Sequence, residues 1–377
     1  MEYNIDDIKN IFTSESILDS IKDGIYVTDK DRKIVYWNKG AENITGWRKD
    51  EVVGQSCFDE ILCHADKEDR KLCGTDTCPL HRAIITGQPS ESPIVVYAQS
   101  KDKSRIPVQV NVSPIKNRDG EIIGGVETFR DMSEAAKDLE RARKIQRKSL
   151  KWNMAEDAPI KASVHYLPHD IIGGDYYAVE QLSDSQYIFL LGDVMGHGVS
   201  SALHTMYLRS MFDEYKTLLP DITAFLNTLN QQLHQLMRDN FSFASVVCGL
   251  IETDKNRLTV VGGAHPSPFL YRKDNLSVQT IKIAGFALGM VKNANYTPQI
   301  FDFNAGDTLF LYTDGAIENF DKNDNELGES GLIKILDLVG YPHKNFLHKE
   351  IEDEILKKTN NVSLKDDVTL LEFNWRA

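Results

Sequence analysis

The sequence predicts an α+β protein in which two domains are joined by a helix. Its 377 residues exceed what one compact core usually holds, so two domains are expected. Both halves contain short strand-like segments separated by turn residues, and a polar segment without glycine or proline lies between them at residues 133–151. Strands interrupted by a few helices, without a regular strand–helix alternation, favour the α+β class.

Composition limits the possible environments and partners. The chain is 41% hydrophobic and 26% charged, as in ordinary globular proteins, and no apolar run approaches the ~18 residues that span a membrane. The first residues, MEYNIDDIKN, are acidic and polar, unlike a signal peptide, so we expect a cytoplasmic protein with no membrane partner. The net charge of -13 argues against nonspecific binding to nucleic acid.

The first half has the pattern of a small antiparallel sheet with a helical middle. Residues 24–37 contain two β-branched and aromatic runs around the turn DKDRK, which predicts a hairpin. Residues 79–87 (PLHRAIITG) predict a helix that proline opens and glycine ends. Three further strand candidates follow, separated by the turn segments KDKS and KNRDG.

This order of elements resembles a PAS sensor domain over residues 14–132. The resemblance implies a five-stranded antiparallel sheet with helices, which binds a small ligand or cofactor or serves only to dimerise. It is carried by Gly24-Ile25, Asp29, Ile34, Trp37-Asn38, Ala41, Thr45-Gly46, Val53-Gly54 and the final strand that leads into Asp131.

Residues 133–155 are predicted to form a helical linker. Two interpretations remain open: a solvated connector, or a parallel dimer helix that transmits a change from sensor to output. The seam with heptad spacing is weak because most of its residues are small or polar; it consists of Ala135, Leu139, Ala142, Gln146 and Ser149.

Residues 156–377 predict a sandwich of two sheets flanked by helices. Helical segments are expected near 199–217, 221–239, 330–339 and 347–358. The strand candidates are ASVHYLP, QYIFLLGDV, FASVVCGLIET, RLTVVGGAHP, SPFLYRK, PQIFDF, DTLFLYTDG and DDVTLLEF.

Four acidic sites in this half share one pattern, in which a hydrophobic strand ends in aspartate beside small residues. Each alone is more typical of a turn, but four such charges cannot converge in a partly buried site without a cation. Oxygen ligands favour Mg²⁺ or Mn²⁺, and two such ions ~4 Å apart can hold a water and clamp a phosphoryl oxygen. The sites are Gly173-Gly174-Asp175, Gly192-Asp193, Thr313-Asp314-Gly315 and Lys365-Asp366-Asp367.

Six phrases in order closely resemble the bacterial SpoIIE-type serine phosphatases, a branch of the metal-dependent (type 2C, PPM) phosphatase superfamily with an αββα sandwich. They are GGDYY, GDVMGHG, GGAHPSPFLYR, GFALGM, GDTLFLYTDGAIEN and DDVTLL, and they cover residues 145–375. The resemblance implies that two Mn²⁺ or Mg²⁺ ions are held by catalytic carboxylates and by the Val194 carbonyl. The implied carboxylates are Asp175, Asp193, Asp314 and Asp366, and Asp367 is an alternative to Asp366.

The same resemblance implies a substrate and a mode of regulation. The substrate class is a phosphoserine or phosphothreonine on a STAS-type anti-anti-sigma protein, whose dephosphorylation frees a sigma factor. The helix after Asp193, residues 199–217, is implied to act as a switch, and a homodimer formed through the PAS domain and the linker is expected to move it. For His197 and His265 we prefer a structural role in their loops over catalysis or substrate contact.

Four cysteines, Cys57, Cys63, Cys73 and Cys78, are separated by five, nine and four residues. This spacing is not that of paired CxxC motifs, so the zinc signal is weak. Reduced cysteines that pack a loop, an iron–sulfur or zinc site and a redox-switchable disulfide all remain possible, as does an organic ligand in the domain.

A diguanylate cyclase and a catalytically dead scaffold are the two alternatives to the phosphatase. A diguanylate cyclase often follows a PAS domain, but Tyr176 stands in GGDYY where that enzyme needs an acid. A catalytically dead scaffold is opposed by the presence of all four aspartates.

Overall fold

The computed structural model describes residues 13–66, 69–90, 94–196, 198–237, 242–273, 277–321, 323–342, 348–359 and 364–376. The chain divides into two compact units, one ending at Asp138 and the other beginning at Leu139. The division falls within a helix, Ser133–Ser149, in the segment predicted as the linker. No helix in the described ranges combines the length and the apolar character that crossing a bilayer requires.

The N-terminal unit contains the predicted five-stranded antiparallel sheet, with spatial order β2-β1-β5-β4-β3. The first two strands form the expected hairpin, and the last three form a meander. The strands are β1 (Gly24–Asp29), β2 (Ile34–Trp37), β3 (Ile94–Gln99), β4 (Arg105–Lys116) and β5 (Ile122–Asp131). The helices are α1 (Ser14–Ser20), α2 (Lys39–Thr45), α3 (Lys49–Val52) and α4 (Pro79–Thr86).

Local sequence signals explain where these helices begin and end. The Asn38 side chain accepts a hydrogen bond from the Ala41 N–H at 2.8 Å, which caps α2, and it also accepts one from the Ile25 N–H of β1 at 2.8 Å. Pro79 opens α4, and Gly87 ends it with φ of 70°, a left-handed conformation that glycine adopts at little cost. The helix predicted at residues 79–87 is therefore confirmed.

The C-terminal unit contains two stacked sheets. The first has the order β14-β11-β10-β9-β8-β6 and the second the order β13-β12-β15-β16-β7. In chain order the strands are β6 (Lys151–Asn153), β7 (Ile160–Leu167), β8 (Asp175–Gln181), β9 (Gln186–Val194), β10 (Ala244–Glu252), β11 (Arg257–Gly263), β12 (Phe269–Tyr271), β13 (Val278–Thr280), β14 (Gln299–Asp302), β15 (Thr308–Tyr312) and β16 (Val368–Trp375).

Helices cover the outer face of each sheet, so the unit is the predicted αββα sandwich. After the linker helix α5 (Ser133–Ser149), α6 (Val199–Tyr215) and α7 (Ile222–Met237) pack on the first sheet, and α8 (Gly328–Val339) and α9 (His348–Thr359) pack on the second. Between the sheets lies an apolar core, in which the rings of Phe189 and Phe373 approach to 4.9 Å between centroids.

The expectation that each aspartate follows a strand is wrong for two of the four sites. Asp175 is the first residue of β8, and Asp366 and Asp367 precede β16, whereas Asp193 lies near the end of β9 and Asp314 follows β15. The sites still converge because the start of one antiparallel strand lies beside the end of its neighbour. Strands β6, β8 and β13 were not predicted.

Gly249 in β10 tests the packing of the core between the sheets. A methyl group at this position would lie 2.1 Å from the Phe189 ring. That ring is buried and packs against Phe373, so it has little room to move. We expect Gly249→Ala to lower the free energy of unfolding of the C-terminal unit by about 1–3 kcal/mol, measured by urea unfolding. The same change in a Phe189→Leu background should cost much less; an equal cost in both backgrounds would contradict this packing.

Candidate active site

Asp175 and Asp193 lie directly opposite each other in neighbouring antiparallel strands. Register pairs Asp175 of β8 with Asp193 of β9. Opposed residues in such a pair point to the same face, with Cβ atoms about 4.5–5.5 Å apart. The two carboxyl groups therefore emerge side by side at one end of the first sheet.

The second sheet supplies the hydrogen-bond donors for Asp175. One carboxylate oxygen, Oδ2, accepts hydrogen bonds from Thr313 Oγ1 at 2.9 Å and Thr369 Oγ1 at 2.6 Å. The other oxygen, Oδ1, is buried without a partner. Burial raises the pKa of Asp175 well above its usual range, and the charges of Asp193 and Asp367 raise it further, while the two threonine hydroxyls oppose the shift.

Asp193 is the point where the negative charges of the site meet. Burial, followed by the charges of Asp314, Asp366, Asp367 and Glu318, raises the pKa of Asp193 to about 8. The charge of Asp366 acts on Asp193 more strongly than that of Asp367 does. Two of the predicted sites, Asp314 and the Asp366-Asp367 pair, thus act on Asp193, which lies opposite Asp175 of the remaining site.

Asp314 begins a single 3₁₀ turn, Asp314–Ala316, directly after the second-sheet strand β15 and Thr313. Its Oδ1 atom is buried without a hydrogen-bond partner. Burial, with the charges of Glu318 and Asp366, raises the pKa of Asp314 to about 6. The second sheet therefore contributes a carboxyl group that has an oxygen available for a ligand.

The adjacent residues Asp366 and Asp367 have different surroundings. Asp367 is buried, and its carboxylate accepts backbone hydrogen bonds from His169 at 2.6 Å and from Gly174 at 2.5 Å. It thereby ties the loop before Asp175 to the start of β16. Asp366 is exposed and accepts a hydrogen bond only from the adjacent Asp367 N–H among the contacts described, which leaves more of its carboxylate available.

Gly174 brings the loop before Asp175 against the end of β9. The Val194 N–H donates a hydrogen bond to the Gly174 carbonyl at 3.1 Å. A Cβ atom on Gly174 would lie 2.8 Å from the Val194 carbonyl oxygen, the predicted backbone ligand. Only glycine allows this close approach, so the loop and the carbonyl next to Asp193 remain in contact.

Gln146 is a site residue that was missed as such in the sequence, where it appeared only on the weak dimer seam. It is buried, and its Nε2 donates to the Gly173 carbonyl at 2.6 Å and to Thr205 Oγ1 at 3.0 Å. Its Oε1 accepts from the Gly173 N–H at 3.3 Å. The linker helix α5 is thus connected both to the loop before Asp175 and to α6. An uncharged polar residue within an otherwise highly charged helix is the signal that could have revealed it.

The two histidines of the motifs have different outcomes. His197 lies outside the described residues. His265 is buried, its Nδ1 lies 2.9 Å from Ser245 Oγ, and burial lowers its pKa to about 3. Ser245 is the register partner of Asp193, so the neutral His265 lies beside the site and contacts it through Ser245, and its role stays a prediction.

In the part of the chain that the structure describes, no cationic side chain pairs with the converging carboxylates. Among the described residues, no lysine or arginine is paired with Asp175, Asp193 or Asp314, and no three acidic, histidine or cysteine side chains already form a closed metal cage. Buried like charges are costly unless protons or a cation neutralise them. The two unpartnered oxygens, on Asp175 and Asp314, fit a divalent ion that prefers oxygen ligands.

The predicted cysteine site is only partly gathered by the fold. Cys57, Cys73 and Cys78 are buried in the N-terminal unit, whereas Cys63 is half-buried and its thiol donates to the Phe58 carbonyl at 3.5 Å. All four thiols are free. The sequence grouped Cys63 with the other three, whereas in the structure it differs from them in being half-buried and bonded to the Phe58 carbonyl.

Two phosphoserine phosphatases of known name resemble part of this chain. Phosphoserine phosphatase RsbP of Bacillus subtilis (strain 168) is 28% identical over 185 residues, which are 48% of this chain and 45% of RsbP. Phosphoserine phosphatase RsbU of the same organism is 23% identical over 246 residues, 65% of this chain and 72% of RsbU. The chain thus spans less than half of the length of RsbP.

A solved structure, the SiaA-PP2C domain of Pseudomonas aeruginosa, shares the fold. It superposes with a TM-score of 0.54 at 22% identity and covers 64% of this chain and 98% of its own. The order of the strands and the helix-covered double sheet are therefore those of a PP2C-type domain.

Family models match both units. Residues 22–134 match the PAS domain, and residues 183–376 match the family described as Stage II sporulation protein E (SpoIIE). The second match covers just over half of the 377 residues and includes three of the four aspartate sites. With its paired aspartates at one end of a PP2C-type sandwich, the chain belongs to the SpoIIE family and carries a PAS domain before it.

Proposed function

We propose that this chain is a metal-dependent protein serine/threonine phosphatase whose activity is controlled by its PAS domain. The observation that carries the proposal is the pairing of Asp175 with Asp193 across two strands. Asp314 and Asp366 act on Asp193, and no cationic side chain among the described residues pairs with Asp175 or Asp193. The names of the relatives RsbP and RsbU, both phosphoserine phosphatases, support the same reaction.

The proposed ligands of two Mn²⁺ or Mg²⁺ ions are the carboxylates of Asp175, Asp193, Asp314 and Asp366 and the carbonyl of Val194. Such ions polarise a phosphoryl oxygen and make water a nucleophile at neutral pH. The buried oxygens of Asp175 and Asp314 without partners support this assignment, as does the engagement of Asp367 in backbone hydrogen bonds, which favours Asp366 as the ligand.

The surrounding residues hold these ligands in place. Thr313 and Thr369 donate to one oxygen of Asp175 and so direct the other away from them. Asp367, directly before β16 of the second sheet, accepts a hydrogen bond from the Gly174 N–H and so holds the backbone next to Asp175. Ligand positions are therefore set by hydrogen bonds that link both sheets, and the chemistry depends on these supports as much as on the ligands.

The substrate class that we propose is a phosphoserine or phosphothreonine on a STAS-type anti-anti-sigma protein, whose dephosphorylation controls a sigma factor by partner switching. This follows from the family and from the two relatives, since the residues of the site itself select only a phosphate ester. The diguanylate cyclase alternative has no support from the double-sheet fold or the family match.

Regulation is proposed to pass from the PAS domain through α5 to the metal site. Gln146 is the link, because one side chain on α5 bonds both to Gly173, two residues before Asp175, and to Thr205 of α6. A homodimer through the PAS domain and the linker stays a prediction; within it, Gln146 faces its own chain and is not available to the seam.

Replacing Asp193 tests the proposed activity. Asp193→Asn should lower Mn²⁺-dependent hydrolysis of a phosphoserine peptide by at least about 100-fold. Removing a residue that only hydrogen bonds to a metal ligand typically costs about 10–100-fold in activity, and removing a ligand itself should cost more. Asp254→Asn, an exposed aspartate in a distant turn, is the control and should retain full activity. Hydrolysis that ignores added metal and survives Asp193→Asn would remove the phosphatase proposal.

The raised pKa of Asp193 predicts how stability without metal depends on pH. Since its pKa is about 8 in the folded protein and about 4 when unfolded, ionisation costs folding free energy progressively as pH rises between these values. In chelator, the Tm of Asp193→Asn minus the Tm of the unsubstituted protein should therefore increase from about pH 5 to about pH 8.

For the matched substitution Asp254→Asn, the Tm of the variant minus the Tm of the unsubstituted protein should stay constant from about pH 5 to about pH 8. Mn²⁺ should raise the Tm of the unsubstituted protein at the upper end of the range and that of Asp193→Asn much less. A Tm difference for Asp193→Asn that does not change with pH would contradict the charge clustering.

Gln146→Ala tests the proposed link. It leaves the buried N–H and carbonyl of Gly173 without partners, a loss of about 1–3 kcal/mol, and frees the loop before Asp175. We expect a higher Mn²⁺ concentration for half-maximal activity, with a smaller change at saturating metal. Lys144→Ala, on the exposed part of α5, should change neither; the same metal dependence in both variants would rule the link out.

A further inference from the structure

The core of the PAS domain contains a buried polar cluster, which consists of Cys57, Cys73, Cys78, His64 and Glu127. All five are at most 4% exposed, and Glu127 is fully buried. Four of them lie in the segment between β2 and the start of α4, and Glu127 lies on β5. The fold therefore brings thiols, an imidazole and a carboxyl group from separate parts of the chain into one apolar interior.

The members of this buried polar cluster are in mutual contact. The Cys73 and Cys78 side chains hydrogen bond to each other, and the His64 N–H donates to Cys73 Sγ at 3.1 Å. The Tyr26 hydroxyl lies beside the cluster, where all three thiols and Glu127 act on it electrostatically. The three thiols and Glu127 therefore lie close enough to the Tyr26 phenol to act on it, and His64 is joined to Cys73 through its backbone N–H.

Two members of the cluster lack the partners that buried polar groups normally have. His64 Nε2 has no hydrogen-bond partner and lies 3.5 Å from Glu127 Oε1, and among the described residues the buried Glu127 carboxylate interacts by a side-chain hydrogen bond with Tyr26 alone. Burying such groups without partners is costly, and native folds seldom retain them. A cation bound in the cluster would supply the missing interaction for both.

The donor set indicates the class of cation. Thiolate, imidazole and carboxylate are the ligands of Zn²⁺, which takes four of them in a tetrahedron, whereas Mg²⁺ and Ca²⁺ prefer oxygen alone. Since the Cys63 thiol is half-buried and donates to the Phe58 carbonyl, the three buried cysteines are the available thiols. Three thiols with one further donor fit a single zinc ion better than an iron–sulfur cluster, which usually takes four cysteines.

We propose that the PAS domain binds one Zn²⁺ through the thiolates of Cys57, Cys73 and Cys78, and that the adjacent His64–Glu127 pair supplies the fourth ligand. The donors do not yet form a closed cage in the part of the chain that is described, so binding draws them together. Because Cys78 immediately precedes α4 and Glu127 lies on β5, the ion couples this loop and helix to the central sheet. The proposal is independent of the phosphatase site.

Metal analysis of the full-length protein, purified without chelator, is the direct test. We expect about one zinc per chain, retained in Cys63→Ser and in Asp193→Asn and lost in Cys78→Ser. Cys63→Ser is the matched cysteine control, and Asp193→Asn separates this zinc from any metal at the phosphatase site. Zinc that persists in a folded Cys78→Ser variant, or that is lost with Asp193→Asn, would overturn the proposal.

Cobalt substitution provides a second measurement that needs no variant. Adding Co²⁺ to zinc-depleted protein should give intense visible bands of a tetrahedral site together with a thiolate-to-cobalt charge-transfer band, and Zn²⁺ should abolish both. This result keeps the proposal testable even if Cys78→Ser fails to fold. Absence of the charge-transfer band, or iron with acid-labile sulfide in place of zinc, would refute the single-zinc site.

Discussion

The C-terminal unit depends on one electrostatic constraint: like-charged carboxyl groups are held side by side where water is largely excluded. Asp175 and Asp193 occupy opposed positions on adjacent strands of the first sheet. Asp314, which follows β15, and Asp366, which precedes β16, act on Asp193 from the second sheet. Ionised together without a counter-charge, they oppose folding. Under the proposed function, a divalent cation would convert the same arrangement into a stabilised site, and metal binding would then be coupled to stability.

The sandwich fold makes this arrangement possible because both sheets end at the same place. Thr313 and Thr369 of the second sheet hold Asp175 of the first, and Asp367 holds Gly174 across the same gap. Separating the sheets by even a small distance would break these bonds together. The geometry of the site therefore depends on how the two sheets pack. Helix α5 contacts the same site through the hydrogen bond from Gln146 to Gly173.

Much of this could be predicted from the sequence, because the decisive signals are local. The hairpin that ends at Trp37 and the helix from Pro79 to Gly87 follow from patterns over a few residues, and the motifs around the four aspartates predict one shared site. What was wrong or missed depends on contacts between distant residues. Whether Asp175 begins or ends a strand is decided by pairing with β9, and the partners of Gln146 lie 27 and 59 residues away.

Anomalous X-ray scattering from crystals grown with Mn²⁺ tests the central claim most directly. It should reveal two ions ~4 Å apart between the ends of the two sheets, in contact with Asp175, Asp193, Asp314 and Asp366 and with the Val194 carbonyl. The account would be contradicted if the anomalous peaks lay elsewhere at saturating Mn²⁺ and these carboxyl groups contacted no metal ion.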